Sequence, residues 1–178
     1  MRVFISGGAK NGKSSLAQEL AVQLSGDRPR YYVATMIPVD EEDRQRIRRH
    51  VADRAGMGFE TVECGRHILS CLDGVDQNGT FLLDSVTALL MNEMFVDGAI
   101  DDGAGARCAR ELTEFIRSVK NAVIVSDAIY SDAARYDEIT ELYRASLARA
   151  DRACAAACDT VIEMTAGQMI IHKGGLPE

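Results

Sequence analysis

The sequence predicts an α/β fold, a mostly parallel central sheet flanked by helices. Three observations carry that expectation. Short apolar runs alternate with segments of helical period along the chain, the pattern of strand–helix–strand units. The glycine-rich stretch Gly7-Gly8-Ala9-Lys10-Asn11-Gly12-Lys13-Ser14 stands between the first apolar run, Val3-Phe4-Ile5, and the first helical segment. Two later runs, Thr80-Phe81-Leu82-Leu83-Asp84 and Ala122-Val123-Ile124-Val125-Ser126-Asp127, end in polar residues, and ligands bind at that end of the strands in open parallel sheets.

Composition narrows the class. A chain of 178 residues suits one domain, residues 1–178, with a good core. A hydrophobic content of 47% argues against disorder, and no apolar run is long enough to span a membrane. The three-residue apolar run ahead of the first glycines does not make a signal peptide. The net charge of −7 disfavours a general nucleic-acid binder. Five cysteines form an odd set without a Cys-x2-Cys pair, so neither a disulfide framework nor a zinc site is expected, and a reducing cytoplasm fits best. Cys154 and Cys158, one helical turn apart among alanines, read as buried small apolar residues. There is no internal repeat and no low-complexity tract.

The first element sets the chemistry. Residues 7–14 fit Gly-x4-Gly-Lys-Ser, the phosphate-cradling loop. Leu16, Ala17, Leu20, Ala21 and Leu24 follow at helical spacing, which places the loop between a buried strand and a helix N-terminus. Glycines open backbone torsions closed to other residues and let N–H groups approach phosphate oxygens. The helix N-terminus adds unpaired donors and a positive dipole end. Lys13 can reach the outer phosphates, and the Ser14 hydroxyl can ligate Mg²⁺. The expected architecture is therefore a P-loop nucleotide-binding fold.

After a turn at Gly26-Asp27-Arg28-Pro29, residues 31–35 read as a second strand and residues 36–39 as a loop. The charged stretch that follows predicts a helix over 41–54, acidic first and basic later, as the helix dipole favours. Arg46, His50 and Arg54 are spaced by four and share one face, with Arg49 beside them and Ile47 and Val51 as an apolar edge. Guanidiniums disfavour a further positive charge nearby, so the imidazole is expected as an uncharged nucleophile facing a phosphate. The arginines would clamp phosphate oxygens and stabilise developing charge. Spacing alone favours a solvated charged helix with an incidental histidine, since charge runs usually are solvated faces.

Residues 58–63 alternate as a short strand, 66–73 could be a helix, and Gln77-Asn78-Gly79 is a turn. The strand over 80–84 ends in Asp84, which reads either as a ligand of Mg²⁺ or its hydration shell, or as the N-cap of the following helix, 85–95. Residues 97–105 are glycine- and acid-rich, a mobile surface loop without the spacing of a calcium loop. A helix over 106–119, a strand over 122–127, a polar loop over 130–137 and a long helix over 138–157 follow. Strands at 161–164 and 169–172 close the sheet. His67 and His172 read as structural or solvated, without an obvious partner.

The combined motifs resemble the bifunctional adenosylcobinamide kinase/adenosylcobinamide-phosphate guanylyltransferases. The carriers are GGAKNGKS at the start, YYVAT at 31–35, RIRRHVADR at 46–54, TFLLDSVTALLMNEMF at 80–95 and NAVIVSD at 121–127, in family order over nearly the whole chain. The resemblance implies phosphorylation of the aminopropanol hydroxyl of adenosylcobinamide by GTP or ATP, then GMP transfer from GTP onto that phosphate through a guanylylated histidine, which maps onto His50. It implies nucleotide contacts from residues 7–14 and from Ala34, Thr35, Arg46, Arg49, Val51, Arg54, Glu63 and Asp84, with Lys13 catalytic and Ser14 and Asp84 on Mg²⁺. It also implies a homotrimer with sites between subunits.

Four stretches depart from the family pattern. Lys10 and Asn11 replace Arg and Ser in the loop, and Phe59 stands for the usual Trp. After the 122–127 strand the family has Ser/Thr-Asn-Glu-Val-Gly, where this chain reads Ser126-Asp127-Ala128-Ile129. The Asn-Gln pair of the last helix is missing near Ala150-Asp151. Guanylyl transfer is thus better supported than the kinase step. Two alternatives stand beside it: a P-loop small-molecule kinase without guanylyl transfer, and a nucleotide-binding regulatory protein whose corrinoid activity has decayed.

Overall fold

A computed structural model describes residues 1–177. In chain order the elements are β1 (Arg2–Gly7), α1 (Lys13–Ser25), β2 (Arg30–Ala34), α2 (Glu41–Asp53), β3 (Phe59–Glu63), β4 (Thr80–Asp84), α3 (Val86–Met94), β5 (Phe95–Val96), β6 (Ala99–Ile100), α4 (Ala104–Ser118), β7 (Asn121–Val125), α5 (Glu138–Ala157), β8 (Thr160–Thr165) and β9 (Gln168–Lys173). Seven strands form one sheet in the order β3-β2-β4-β7-β1-β8-β9. Every neighbouring pair is parallel except β8 with β9. This is the α/β architecture expected, with five helices around a mostly parallel sheet.

The two faces of the sheet follow from the period of two along its strands. Val3, Ile5, Tyr32, Leu82, Val123, Val125 and Ile162 pack against Ala17, Leu20 and Ala21 of α1 on one face. Phe4, Tyr31, Val33, Phe81, Leu83, Ala122 and Ile124 meet α3, α4 and α5 on the other. Phe81 stands edge-on to Phe115 of α4 at 5.8 Å between ring centroids. Both rings are fully buried, and removing either would cost about 3–5 kcal/mol.

In contrast, α2 has no buried residue. It is capped at its start by Asp40, whose side chain accepts from the Asp43 N–H. Along it run the pairs Arg44–Glu41 and Arg48–Glu41.

Three local expectations are revised. The glycine- and acid-rich stretch is not a loop throughout: Asp97 and Gly98 both take positive φ and close the β5–β6 hairpin, and α4 begins at Ala104. The 66–73 helix shrinks to a 3₁₀ turn at Ile68–Leu72, because His67 sits at φ 51° and its N–H is taken by the buried Glu93 carboxylate. His172 does have a partner: its Nε2 lies 2.8 Å from Glu163 across the β8–β9 pair. All five cysteines are buried free thiols, Cys154 and Cys158 among them, as expected for that pair. Among the described residues no helix is long and apolar enough to cross a membrane.

Candidate nucleotide site

The loop between β1 and α1 is shaped by backbone constraints. Gly7 has φ 148°, and a Cβ there would lie 2.2 Å from the Met164 carbonyl oxygen of the neighbouring strand. Lys10 and Gly12 also take positive φ. Gly12 caps α1 with no side-chain bond, so the first N–H groups of the helix face the loop and are free to take an anion. Lys13 is buried. Its Nζ donates to the Gly8 carbonyl at 2.6 Å and pairs with Asp127 at 2.8 Å.

A second constellation lies at the same sheet edge, under α2. A cavity of about 700 Å3 is bounded there by Ala34, Arg46, His50, Val51, Arg54, Glu63 and Asp84, all among the expected residues. Arg54 is buried, with its guanidinium carbon 3.9 Å from the Tyr32 ring centroid and Nη2 donating to Thr61 Oγ1 at 3.1 Å. Tyr32 donates its hydroxyl to Asp84 Oδ2 at 3.0 Å. Burial, and then the Asp84 charge, push that phenol well above its ordinary range, so it stays a donor and fixes the carboxylate. His50 Nδ1 is buried and has no hydrogen-bond partner among the described residues.

Asp84 is not the N-cap of α3. Ser85 caps that helix, its Oγ accepting from the Ala88 N–H at 3.3 Å, and the Asp84 carboxylate is left to face the cavity.

The expected residues do not all converge. Residues 7–14 and Arg49 do not line the His50 cavity. Thr35 does not reach it either: it is fully buried, its hydroxyl donating to the Ser85 carbonyl at 2.8 Å and accepting the Ser85 N–H at 2.7 Å. Its work is to lock the β4–α3 junction. A smaller cavity of about 220 Å3 lies between the two groups and is lined in part by Asp127, Thr87, Tyr143 and Arg46. Arg46 borders both cavities.

Two features escaped the sequence. Tyr32 looked like one more strand aromatic, and only the pairing of β2 with β4, which sets Tyr32 opposite Leu82 and two residues back from Asp84, brings its hydroxyl to that carboxylate. Asp127 looked like a departure from a motif, and only the adjacency of β7 and β1 turns it towards Lys13. Behind it, Asp151 of α5 is buried and accepts from the Tyr130 hydroxyl at 2.8 Å. Burial raises its carboxyl to about 6, and the nearby Asp127 charge adds to the shift.

A glycine cradle at the end of an inner strand, a lysine at the head of the next helix and an acidic residue at a neighbouring strand end define a P-loop nucleotide-binding protein. Two solved structures share the fold. A KaiC-like protein from Pyrococcus horikoshii aligns with TM-score 0.53 at 12% identity, over 97% of this chain and 79% of that one. A second Pyrococcus horikoshii protein gives 0.54 at 8%, over 97% and 86%. The flagellar accessory protein FlaH from Methanocaldococcus jannaschii gives 0.46 at 17%, over 98% and 78%. Comparison with curated proteins finds no match. The sequence model of the cobinamide kinase/cobinamide phosphate guanyltransferase family matches residues 3–171. The chain belongs to that family, whose members are kinase and guanylyltransferase enzymes of cobalamin biosynthesis.

Proposed function

We propose that the protein phosphorylates the hydroxyl of adenosylcobinamide with GTP or ATP and then transfers GMP from GTP to that phosphate through a guanylyl-His50 intermediate. The observation that carries this reading is the buried, unpartnered His50 Nδ1 in a cavity shared with Arg46, Arg54 and Asp84. A structural histidine in such a place would normally find a partner, because a buried polar atom left unpaired costs about 1–3 kcal/mol.

An imidazole nitrogen attacks the α-phosphorus of GTP, the N–P bond forms, and the bond to the β-phosphate oxygen breaks as pyrophosphate leaves. The cobinamide phosphate oxygen then attacks the same phosphorus and the N–P bond breaks. Covalent capture divides one difficult transfer into two easier ones. Arg46 and Arg54 stabilise charge on the equatorial oxygens, and Lys13 takes the charge on the outer phosphates.

Magnesium fits the donor set. Ser14 and Asp84 offer hard oxygens, and the described residues hold no cluster of three or more His, Cys, Asp or Glu that would bind a metal alone. A cation here therefore depends on phosphate oxygens, the usual mode for Mg²⁺. When bound it would neutralise phosphate charge during transfer.

The proposal includes a cytoplasmic homo-oligomer, a trimer by family resemblance. In an oligomer, a histidine helix and a cradle that do not share a cavity within one chain can meet across a subunit boundary. Light scattering on the purified protein tests the assembly.

The central test uses α-labelled GTP, denaturation and an intact-mass measurement. The wild type is expected to gain one GMP, and His50→Ala is expected to gain none. A labelled His50→Ala protein would refute the assignment. Transfer of the γ-phosphate alone, with no adduct, would leave a small-molecule kinase.

A further inference from the structure

We propose that Asp127 is the general base of the kinase step and that the smaller cavity it faces seats the acceptor alcohol. This rests on the kinase reading given above and adds the residue that activates the acceptor and the pocket that holds it.

Position comes first. Asp127 follows the end of β7, beside the strand that feeds the phosphate loop. Its carboxylate lies 2.8 Å from Lys13 Nζ, so a terminal phosphoryl group drawn to that lysine must arrive next to the carboxylate. The backbone is held from two sides: the Asp127 N–H donates to Thr87 Oγ1 at 2.9 Å, and the Ala128 N–H donates to the Gly7 carbonyl at 3.1 Å. The side chain is 25% exposed and borders the 220 Å3 cavity. A carboxylate whose only duty was to neutralise a buried lysine gains nothing by opening onto a pocket.

The pocket suits an alcohol on an aliphatic stem. Met36, Ile37 and Met91 supply an apolar wall, and Tyr143 and Asn92 supply polar edges. Lys13 pairs with Asp127 directly, Arg46 and Asp43 share the lining of the pocket with it, and Asp151 lies behind. Arg46 borders this cavity and the larger one, so a phosphate ester made in the first lies against the guanidinium that serves the second.

In the step, the acceptor O–H proton passes to an Asp127 carboxylate oxygen. A bond forms between the acceptor oxygen and the γ-phosphorus. The bond from the γ-phosphorus to the β–γ bridging oxygen breaks, and its electron pair leaves with the nucleoside diphosphate. The incoming phosphates compete for Lys13 and free the carboxylate for this role.

The test is Asp127→Asn, which keeps the shape and can still accept a hydrogen bond from Lys13. With cobinamide and GTP, kcat for phosphorylation is expected to fall by about 100-fold or more, with KM for GTP within about threefold, since the removed function belongs to the transition state. Formate should restore part of the activity of Asp127→Ala. Wild-type kcat in Asp127→Asn overturns the proposal. So does a parallel loss of kcat and GTP affinity with no formate rescue of Asp127→Ala, which would make Asp127 only a lysine anchor. If the wild type itself fails to phosphorylate cobinamide, the kinase reading falls with it, and that failure is visible before any variant is made.

Discussion

The two halves of the site are built in opposite ways. On the cradle side, α1 buries Ala17, Leu20 and Ala21 against the sheet, and Lys13 is held by a carbonyl and a carboxylate. On the histidine side, α2 buries nothing and roofs a cavity of about 700 Å3. The phosphate cradle is made of backbone, and backbone positions are set by the core beneath it. The histidine helix carries its chemistry on long charged side chains that have few protein partners. The first half is pre-organised before ligand arrives; the second is completed by what fills the cavity.

The largest expected effect tests the rigid half. Gly7→Ala puts a methyl group 2.2 Å from the Met164 carbonyl, within a parallel strand pair that cannot separate locally. Its φ of 148° adds backbone strain. The variant is expected to lose about 3 kcal/mol or more of stability, read as a shifted urea midpoint, together with measurable nucleotide binding. Unchanged stability would show that β1 and β8 have slack, and the comparison would lose one side.

A smaller effect, of opposite sign, comes from the buried carboxyl behind the cradle. Asp151 has its carboxyl raised to about 6 from an ordinary 3.8, chiefly by burial. The folded state therefore holds its proton more tightly than the unfolded chain. That contribution is fully present below pH 3.8 and is lost as pH rises towards 6, so ionisation at neutral pH opposes folding. Asp151→Asn keeps an acceptor for the Tyr130 hydroxyl and removes the ionisation. It is expected to be more stable than wild type by roughly 1–3 kcal/mol at pH 7, with the advantage gone near pH 4. Denaturant curves at the two pH values check this. An equal effect at both would mean that the gain is not electrostatic.

What could be read in advance divides along the same line. The cradle was legible because its requirements are local: glycines at fixed spacing, a lysine at a helix start and an apolar run before them. The sheet was legible because strands buried on both faces, such as Thr80–Asp84 and Asn121–Val125, are near-continuous apolar runs. The Asp97–Gly98 turn was missed because acidity and glycine content spoke louder than the hairpin signal. The ion pair of Lys13 with Asp127, and the bond from Tyr32 to Asp84, join residues far apart in sequence through strand order. A period of two tells which face a residue takes but not which strand stands beside it. Thr35 was expected at the nucleotide, but its place at a strand end served a junction bond instead.

The smallest expected effect is the sharpest on the comparison. Glu19 in α1 and Gln45 in α2 are both exposed, both lie inside 13-residue helices, and neither is a cavity-lining residue. Glycine at either position costs the same intrinsic helix propensity, about 0.5–1 kcal/mol. In α1 the helix unfolds only with the core, so Glu19→Gly should lower the global unfolding free energy by nearly that whole amount. In α2 the helix can open by itself, and a penalty on an element that opens locally does not pass fully into the global transition. Gln45→Gly should therefore cost less than half as much in a denaturant curve, while hydrogen exchange of the α2 amides speeds up. Adding GTP should slow that exchange in α2 far more than in α1, because a ligand in the cavity supplies the partners this helix lacks. Equal global costs for the two glycines would mean that α2 is already tied to the core, and the histidine side would then be as pre-organised as the cradle.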